Sequence, residues 1–408
     1  MPSTEEYVAA GLYDPENTAE HGRLELLDWL VEMGFTIDEM VLAESAGSLS
    51  AIANDRRTLP GERLSRSQAI ETSGMATENF DAFLRAVGLT QIGGAPPGEI
   101  GVTQAEIEAL ASFDLLGEVF SREETLAFLR VIGSAMSRIG EAGVSLFLTD
   151  VEAEMLTAGH NELALARKGY DAVGLIDRLS AQLEPLLRRH ILQATERSRV
   201  AEIEQGERFL YRYAVGFVDL VGFTEISAAL QPKDLAVFIR DFEGRAHDIV
   251  TAVGARLVKL IGDEVMFVAT DPEAACVAGS RLMAGFGSEM ERVVPRGGLA
   301  FGDVLVRGGD YYGPIVNLAA RLVDEAVPQE LLVTEELAHA APTSRFDPAG
   351  RRMVKGFADP IAVRSFALEG RSAHSAQSGS QPSGIGEISC RHDCGAEVAD
   401  SVRLRTDS

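Results

Sequence analysis

Cysteine is scarce: Cys276, Cys390 and Cys394 are the three in 408 residues, too few and too unevenly placed for a disulfide framework, and that points to a reducing compartment. Positive charge is scarce too. Against 62 Asp and Glu stand 37 Lys and Arg, a formal net charge of −25, which repels phosphate backbones and anionic lipid, so neither nucleic acid nor a membrane surface is expected as a partner. A chain this acidic that binds a phosphorylated ligand must supply local cations, either metal ions or a few placed Lys and Arg. Long apolar runs are missing, none approaching the length that crosses a bilayer. The opening Met1-Pro2-Ser3-Thr4-Glu5-Glu6-Tyr7 has neither the basic start nor the apolar stretch of a secretory signal, so a cytoplasmic location without membrane insertion is expected. What remains, 46% hydrophobic and 24% charged residues, is the balance of an ordinary globular protein, and the length predicts two domains with linkers.

From about Leu24 to Arg199 the apolar residues recur at helical spacing. Phe80, Phe83, Leu84 and Val87 make one face, and Leu175, Ile176, Leu179, Leu183, Leu186 and Leu187 make another; both are expected to pack helix on helix. Pro60-Gly61 and the stretch from Gly93 to Gly98 punctuate these blocks as loops. Pro185 marks a helix start or a kink, because its ring blocks one backbone bond. The charges that follow, among them Arg188, Arg189, Arg197 and Arg199, suit a connecting helix. After Tyr211 short apolar strands alternate with helices. A strand over 213–218 precedes a helix carrying Leu235, Phe238, Phe242, Ala246, Ile249 and Val253, which stops near Gly254. Strands over 256–261 and 265–269 join across Gly262-Asp263-Glu264 as a tight hairpin. Asp271-Pro272 supplies a cap and a first-turn proline for a helix to about Phe286. A strand pair is expected over 299–301 and 304–306, then a helix opened by Pro314.

The order strand, helix, strand, strand, helix, strand is ferredoxin-like. The predicted fold is therefore α+β, with a ferredoxin-like domain preceded by an all-α one. The expected boundaries are a helical domain over 1–185, a connecting helix or linker over 186–210, the second domain over 211–368 and a disordered tail over 369–408. That tail is too polar to bury a face. Its Cys390, His392 and Cys394 lack a fourth ligand at metal-site spacing and read as incidental.

Asp219 ends the apolar strand Val215-Gly-Phe-Val-Asp219 and is followed by Leu220-Val-Gly222-Phe223-Thr224 leading into a helix. A carboxylate beside the free amides of a helix start suits a cation and a phosphate together. Alone, it is equally explained as a cap. Asp263, at the tip of a hairpin whose strand can pair beside the first, lets two carboxylates converge on one or two divalent ions; its bland alternative is a polar turn residue. Lys259 alone would be a solvated strand lysine. Asn317 and Arg321 lie four apart after Pro314 and project from one helical face, as a surface polar pair also would.

Phe217-Val-Asp219-Leu-Val-Gly222-Phe-Thr224, Lys259-Leu-Ile-Gly262-Asp263-Glu264 and Asp310-Tyr-Tyr-Gly313-Pro-Ile-Val-Asn317-Leu-Ala-Ala-Arg321, in this order and on these elements, resemble the class III nucleotidyl cyclases over about 211–367. The resemblance implies an adenylyl cyclase, a lyase converting ATP to 3′,5′-cyclic AMP and pyrophosphate. It implies two Mg²⁺ or Mn²⁺ ions on Asp219, Asp263 and the backbone carbonyl of Leu220, and adenine reading by Lys259 and Asp310. An ammonium and a carboxylate match the ring acceptor and amino donor of adenine. It further implies that Asn317 orients the ribose and Arg321 stabilises charge on the α-phosphate. Phe223 and Thr224 are substrate-side candidates at the helix start. Lys355, in Val354-Lys-Gly-Phe, either approaches the terminal phosphates or is a solvated lysine.

The resemblance also implies that metal carboxylates of one subunit face the purine reader and arginine of another, so a two-fold homodimer with two equivalent sites is expected. The short span from Gly302 to Asp310, and Asp at position 310, most resemble the soluble actinobacterial-type subgroup. There a helical amino-terminal domain can inhibit the cyclase and acid relieves the inhibition. His160 and His190 could titrate near neutral pH, or be exposed histidines without a switching role. The apolar helical half could hold a small lipophilic effector, though no residue pattern assigns one. Two rivals stay open: a diguanylate cyclase, since Ile261-Gly-Asp-Glu-Val resembles that family's metal hairpin, and a non-catalytic module that binds nucleotide and signals.

Overall fold

The computed structural model describes residues 1–17, 22–89, 101–152, 161–205, 210–289 and 293–367. The predicted loop from Gly93 to Gly98, His160 and the tail with Cys390, His392 and Cys394 lie outside the described residues. Up to Gln205 the elements are helices: α1 (Thr4–Ala9), α2 (Arg23–Glu32), α3 (Ile37–Ser45), α4 (Ile52–Thr58), α5 (Arg66–Ser73), α6 (Thr77–Val87), α7 (Gln104–Asp114), α8 (Arg122–Phe147) and α9 (Glu162–Gln205). Local chemistry starts four of them. Ser3, Thr36, Ser65 and Thr103 each accept an amide bond from the first turn, and Glu6, Glu39, Gln68 and Glu106 return a bond to the cap's own amide, so orphan donors at each helix head are satisfied in pairs.

These helices build two apolar cores. Tyr7, Leu26, Leu27, Leu30 and Met40 close around the start of α9 at Ala166. Phe80, Phe83 and Leu84, one of the predicted faces, pack with Ile107, Leu110 and Leu129, and Val87 lies at the margin. Arg23 ties α2 to α3 and α9 through Glu44 at 2.8 Å and Glu162 at 2.6 Å.

Three expectations are corrected. The second predicted face is helical but is not packed within the chain: Leu175, Leu179, Leu186 and Leu187 on α9 are all at least half exposed. Of the two readings of Pro185, a helix start is excluded, since α9 runs through it from Glu162 to Gln205; losing one i→i−4 bond does not stop a helix that has turns on both sides. The connecting helix expected from Leu186 is thus the second half of a longer one. Finally, Arg122–Val151, a 30-residue helix with a mean hydropathy of 1.2 in its most apolar window, is long and apolar enough by composition to cross a membrane. Leu126 and Leu129, in its first turns, are buried in the second core.

The remaining chain forms β1 (Leu210–Val221), α10 (Phe223–Ala229), α11 (Pro232–Ala252), β2 (Arg256–Ile261), β3 (Glu264–Ala269), α12 (Pro272–Glu289), β4 (Val294–Arg307), β5 (Asp310–Tyr312), α13 (Pro314–Glu325), β6 (Leu331–Thr334), α14 (Glu335–Ala340), β7 (Phe346–Arg352) and β8 (Ile361–Phe366). One sheet takes the order β2-β3-β1-β4-β6-β8-β7, with β5 on β4. Its first four strands are antiparallel and ferredoxin-like. The strand pair expected over 299–306 is instead one strand, β4, whose hairpin partner is β5. Gly302 and Asp303 stay extended opposite Tyr213 and Arg212 of β1, because that pairing satisfies their backbone better than a turn would.

One face of the sheet carries Val215, Phe217, Met266 and Ala300 against Leu318, Ala319 and Leu322 of α13. A Cβ on Gly298 would lie 2.5 Å from the Ala319 carbonyl oxygen and 2.7 Å from Leu322 Cβ, so only glycine lets the α13 backbone rest directly on β4. On the other face Leu299 and Leu331 meet α12 at Gly279, and the ring of Phe242 on α11 packs at a tilt on Phe286 of α12, 4.9 Å between centroids.

Candidate active site

Strand register brings the acidic candidates to one end of the sheet. Asp219 lies opposite Glu264 on β3 and opposite Arg296 on β4. The turn between β2 and β3 holds Gly262 at φ +65°, a left-handed conformation that glycine adopts without strain, and presents Asp263 next to that row. The β3 ladder ends at Asp219, so Leu220 sits just beyond it on that side while still pairing with Pro295 on β4.

The acids are electrostatically crowded. Burial pushes the Asp263 carboxyl above its ordinary value; a bond from its own amide opposes this, the Asp219 charge adds to it and Arg296 opposes it. Burial also pushes Glu264 up to about 7, reinforced by Asp219, Asp324 and Asp263 and opposed by Arg296. Arg296 is the compensating cation: its Nε and Nη2 donate to Asp219 Oδ2 at 3.1 and 3.0 Å. Among the described residues no three His, Cys, Asp or Glu side chains enclose a metal by themselves. Two carboxylates, a backbone carbonyl and surplus negative charge nevertheless suit a hard divalent ion that completes its shell with substrate phosphate and water. Arg296, Glu264 and Asp324 were not singled out from sequence. The signal was register: once β4 is extended back to Val294, Arg296 falls beside Asp219.

Lys259 and Asp310, 51 residues apart, meet at 2.6 Å from Nζ to Oδ2. Asp310 Oδ1 accepts the Tyr311 amide at 2.9 Å. Burial pushes this carboxyl up, but the bonds from Lys259 and Tyr311 and the charges of Lys259 and Arg256 outweigh it and hold Asp310 below the ordinary carboxylate range. The ammonium keeps further donors for a ring nitrogen.

Asn317 and Arg321 lie on the exposed side of α13, opposite buried Leu318, Ala319, Leu322 and Val323. Arg321 leans on Asp324 at 3.6 Å. Phe223 is only half-buried and its ring packs on Phe238 at 5.6 Å between centroids, which accounts for it as packing. Thr224 is exposed, and its carbonyl accepts Ser227 Oγ at 3.0 Å. Lys355 is exposed in a turn closed by the Phe357 amide on the Val354 carbonyl at 3.0 Å, with Val354 buried in the α13 core. Within one chain the structure thus couples Asp219 with Asp263 electrostatically, pairs Lys259 with Asp310, and sets Asn317 and Arg321 on the same side of α13. Each cationic candidate in the first two groups and on α13 is paired inside its own group: Arg296 with Asp219, Lys259 with Asp310, Arg321 with Asp324.

With this geometry in hand, residues 4–199 match the adenylate cyclase regulatory domain and residues 211–370 the adenylate and guanylate cyclase catalytic domain. An uncharacterized Mycobacterium tuberculosis (strain H37Rv) protein is 33% identical over 354 residues, covering 86% of this chain and 91% of its own length. An adenylate cyclase of Streptomyces coelicolor is 32% identical over 286 residues, covering 69% of this chain and 72% of that one. A Mycobacterium tuberculosis (strain CDC 1551) protein named a pH-sensitive adenylate cyclase is 28% identical, covering 86% of this chain and 89% of that one.

Proposed function

Since the chain belongs to the class III adenylate cyclases of actinobacterial type, we propose that it cyclises ATP to 3′,5′-cyclic AMP and pyrophosphate at two equivalent sites, each shared between two copies of the chain. The observation that carries this reading is the Lys259–Asp310 pair at 2.6 Å: a donor and an acceptor held side by side suit the edge of adenine, whereas guanine presents a carbonyl where adenine has its amino group.

In this proposal the ribose 3′-hydroxyl attacks the α-phosphate and pyrophosphate leaves. Asp219, Asp263 and the Leu220 carbonyl of one copy would hold Mg²⁺ or Mn²⁺, which when bound acidifies the hydroxyl and neutralises phosphate charge. From the other copy, Lys259 and Asp310 hold adenine, Asn317 orients the ribose and Arg321 meets the charge growing on the α-phosphate. Lys355 and the first amides of α10, at Phe223 and Thr224, are assigned to the phosphates. Sharing is supported by the resemblance, which sets the metal carboxylates of one subunit against the purine reader and arginine of another.

The test is complementation. Asp219→Ala and Lys259→Ala chains, each inactive alone, should regain turnover when mixed, because the heterodimer contains one intact site. Confirmed heterodimers without activity would count against shared sites. Assaying the product from ATP and from GTP separates this reading from a diguanylate cyclase, and absence of any turnover with Mn²⁺ would favour a signalling module. We assign the helical half a regulatory role with acid as the stimulus, supported by its match to a regulatory domain and by the name of one relative, and we place the enzyme in the cytoplasm.

A further inference from the structure

Asp310, read above as the purine reader, stands at the foot of a turn made of glycine alone. β4 and β5 are joined by two residues only, Gly308 and Gly309, at φ +61° and +83°. Positive φ at both central positions is the type I′ hairpin geometry, which Gly-Gly permits but, with no Cβ, holds less firmly than Asn-Gly. A carboxylate that must meet one edge of a base within a few tenths of an ångström cannot be aimed by such a turn alone.

Arg256, the first residue of β2, reaches both sides of Asp310. Its Nη1 donates to the Tyr311 hydroxyl at 3.2 Å and its Nη2 to the Gly309 carbonyl at 3.4 Å. Each is near the long limit of a hydrogen bond, so the hold comes from the two together. The guanidinium carbon also lies 5.7 Å from the Tyr311 ring centroid, within cation–π range. Tyr311 is anchored in turn: it is buried, and its ring meets Tyr213 edge-on at 5.3 Å. Three residues along the same strand, Lys259 takes the Asp310 carboxylate itself. β2 therefore grips the hairpin at residues 309, 310 and 311.

We propose that Arg256 is a positioning residue for nucleobase selection, fixing the Gly308-Gly309 turn so that Asp310 is presented to the base. It touches neither substrate nor metal and acts through Gly309 and Tyr311. A planar fork suits this bridge, and a lysine's single ammonium cannot serve two acceptors with the same geometry. The inference rests on the reading of Asp310 as the adenine reader.

The experiment uses the full-length enzyme and compares kcat and KM for ATP and GTP. Arg256→Ala should raise KM for ATP and lower the ATP-over-GTP ratio of kcat/KM by about five- to twentyfold, the scale of one or two lost hydrogen bonds, with kcat and thermal midpoint near the parent's. Arg256→Lys should fall between the two. Adding Gly308→Asn to Arg256→Ala converts the turn to the stiffer Asn-Gly hairpin, and a Cβ there meets only Val131 Cγ2 at 3.6 Å, so it should recover much of the lost ATP preference. Unchanged KM and base preference in Arg256→Ala would overturn the proposal, as would a loss that Gly308→Asn leaves untouched and that tracks a fall in melting temperature. Asp310→Ala is the separate control. If it leaves base preference intact, the adenine reading fails; if it shifts the preference while Arg256→Ala does not, only the role of Arg256 fails.

Discussion

Arg321 sits exposed on α13 with its guanidinium spread toward Asp324 at 3.6 Å, a contact too exposed and too long to hold the helix together. Its worth is therefore expected in catalysis. Arg321→Ala should leave the melting temperature unchanged and lower kcat by about a hundred- to a thousandfold, the cost of one lost transition-state charge donor, with a much smaller change in KM; a comparable loss in KM and kcat would assign it to ground-state binding. Asp219 at a strand end and Asn317 and Arg321 four apart on one helical side were legible in sequence, because strand alternation and helical spacing act locally, whereas Lys259 and Asp310 were linked only through the family resemblance. Arg296 was not legible. It is distant from Asp219 along the chain, and only the pairing of β1 with β4 sets them side by side. Phe223 shows the converse, a motif residue whose ring is spent on Phe238.

Elements carry the next constraint. α13 delivers Asn317 and Arg321 only because Gly298 lets its backbone lie on β4, where an added methyl would stand 2.5 Å from a backbone oxygen. Gly298→Ala should cost about 1–3 kcal/mol through overpacking and reduce kcat as α13 shifts, while ATP-over-GTP preference, which the proposed function assigns to β2 and β5, stays; an unchanged melt and kcat would show the helix to be more compliant than this packing implies. In the helical half, Arg66 bonds Asp81 between α5 and α6. That bond is the main cause holding the Asp81 carboxyl below its ordinary value, against burial and with help from the charges of Arg66 and Arg85. A depressed folded pKa stabilises fully above the unfolded value of about 4 and less as pH falls through the folded one. Below about pH 4, then, the midpoint of the parent should fall more steeply than that of Arg66→Gln; parallel curves would remove this pair from acid stability. Helix existence was legible from hydrophobic period, whereas helix extent was not. α9 crosses Pro185, and β4 absorbs what reads as two strands, because neighbours that supply backbone partners decide where an element stops.

At the scale of the whole molecule, Arg307 at the β4–β5 turn meets Glu124 of α8 at 3.1 Å, so the helical half touches the hairpin that bears Asp310. If acid acts by loosening that half, a like-charge clash should imitate acid: Arg307→Glu is expected to raise turnover at about pH 8 and flatten the rise toward pH 6, the range in which histidines titrate. Identical pH profiles for parent and Arg307→Glu would remove this contact from regulation. By itself the sequence determined the α+β class, the helical half ahead of it and the hairpin that presents Asp263, because turn chemistry and hydrophobic period act over a few neighbouring positions. Tertiary structure alone decided that Arg296 answers Asp219, that Arg256 and Lys259 grip the same hairpin, and that Leu175, Leu179, Leu186 and Leu187 of α9 face outward. Those outcomes depend on register between strands far apart in the chain and on which surfaces find a partner, and no local pattern encodes either.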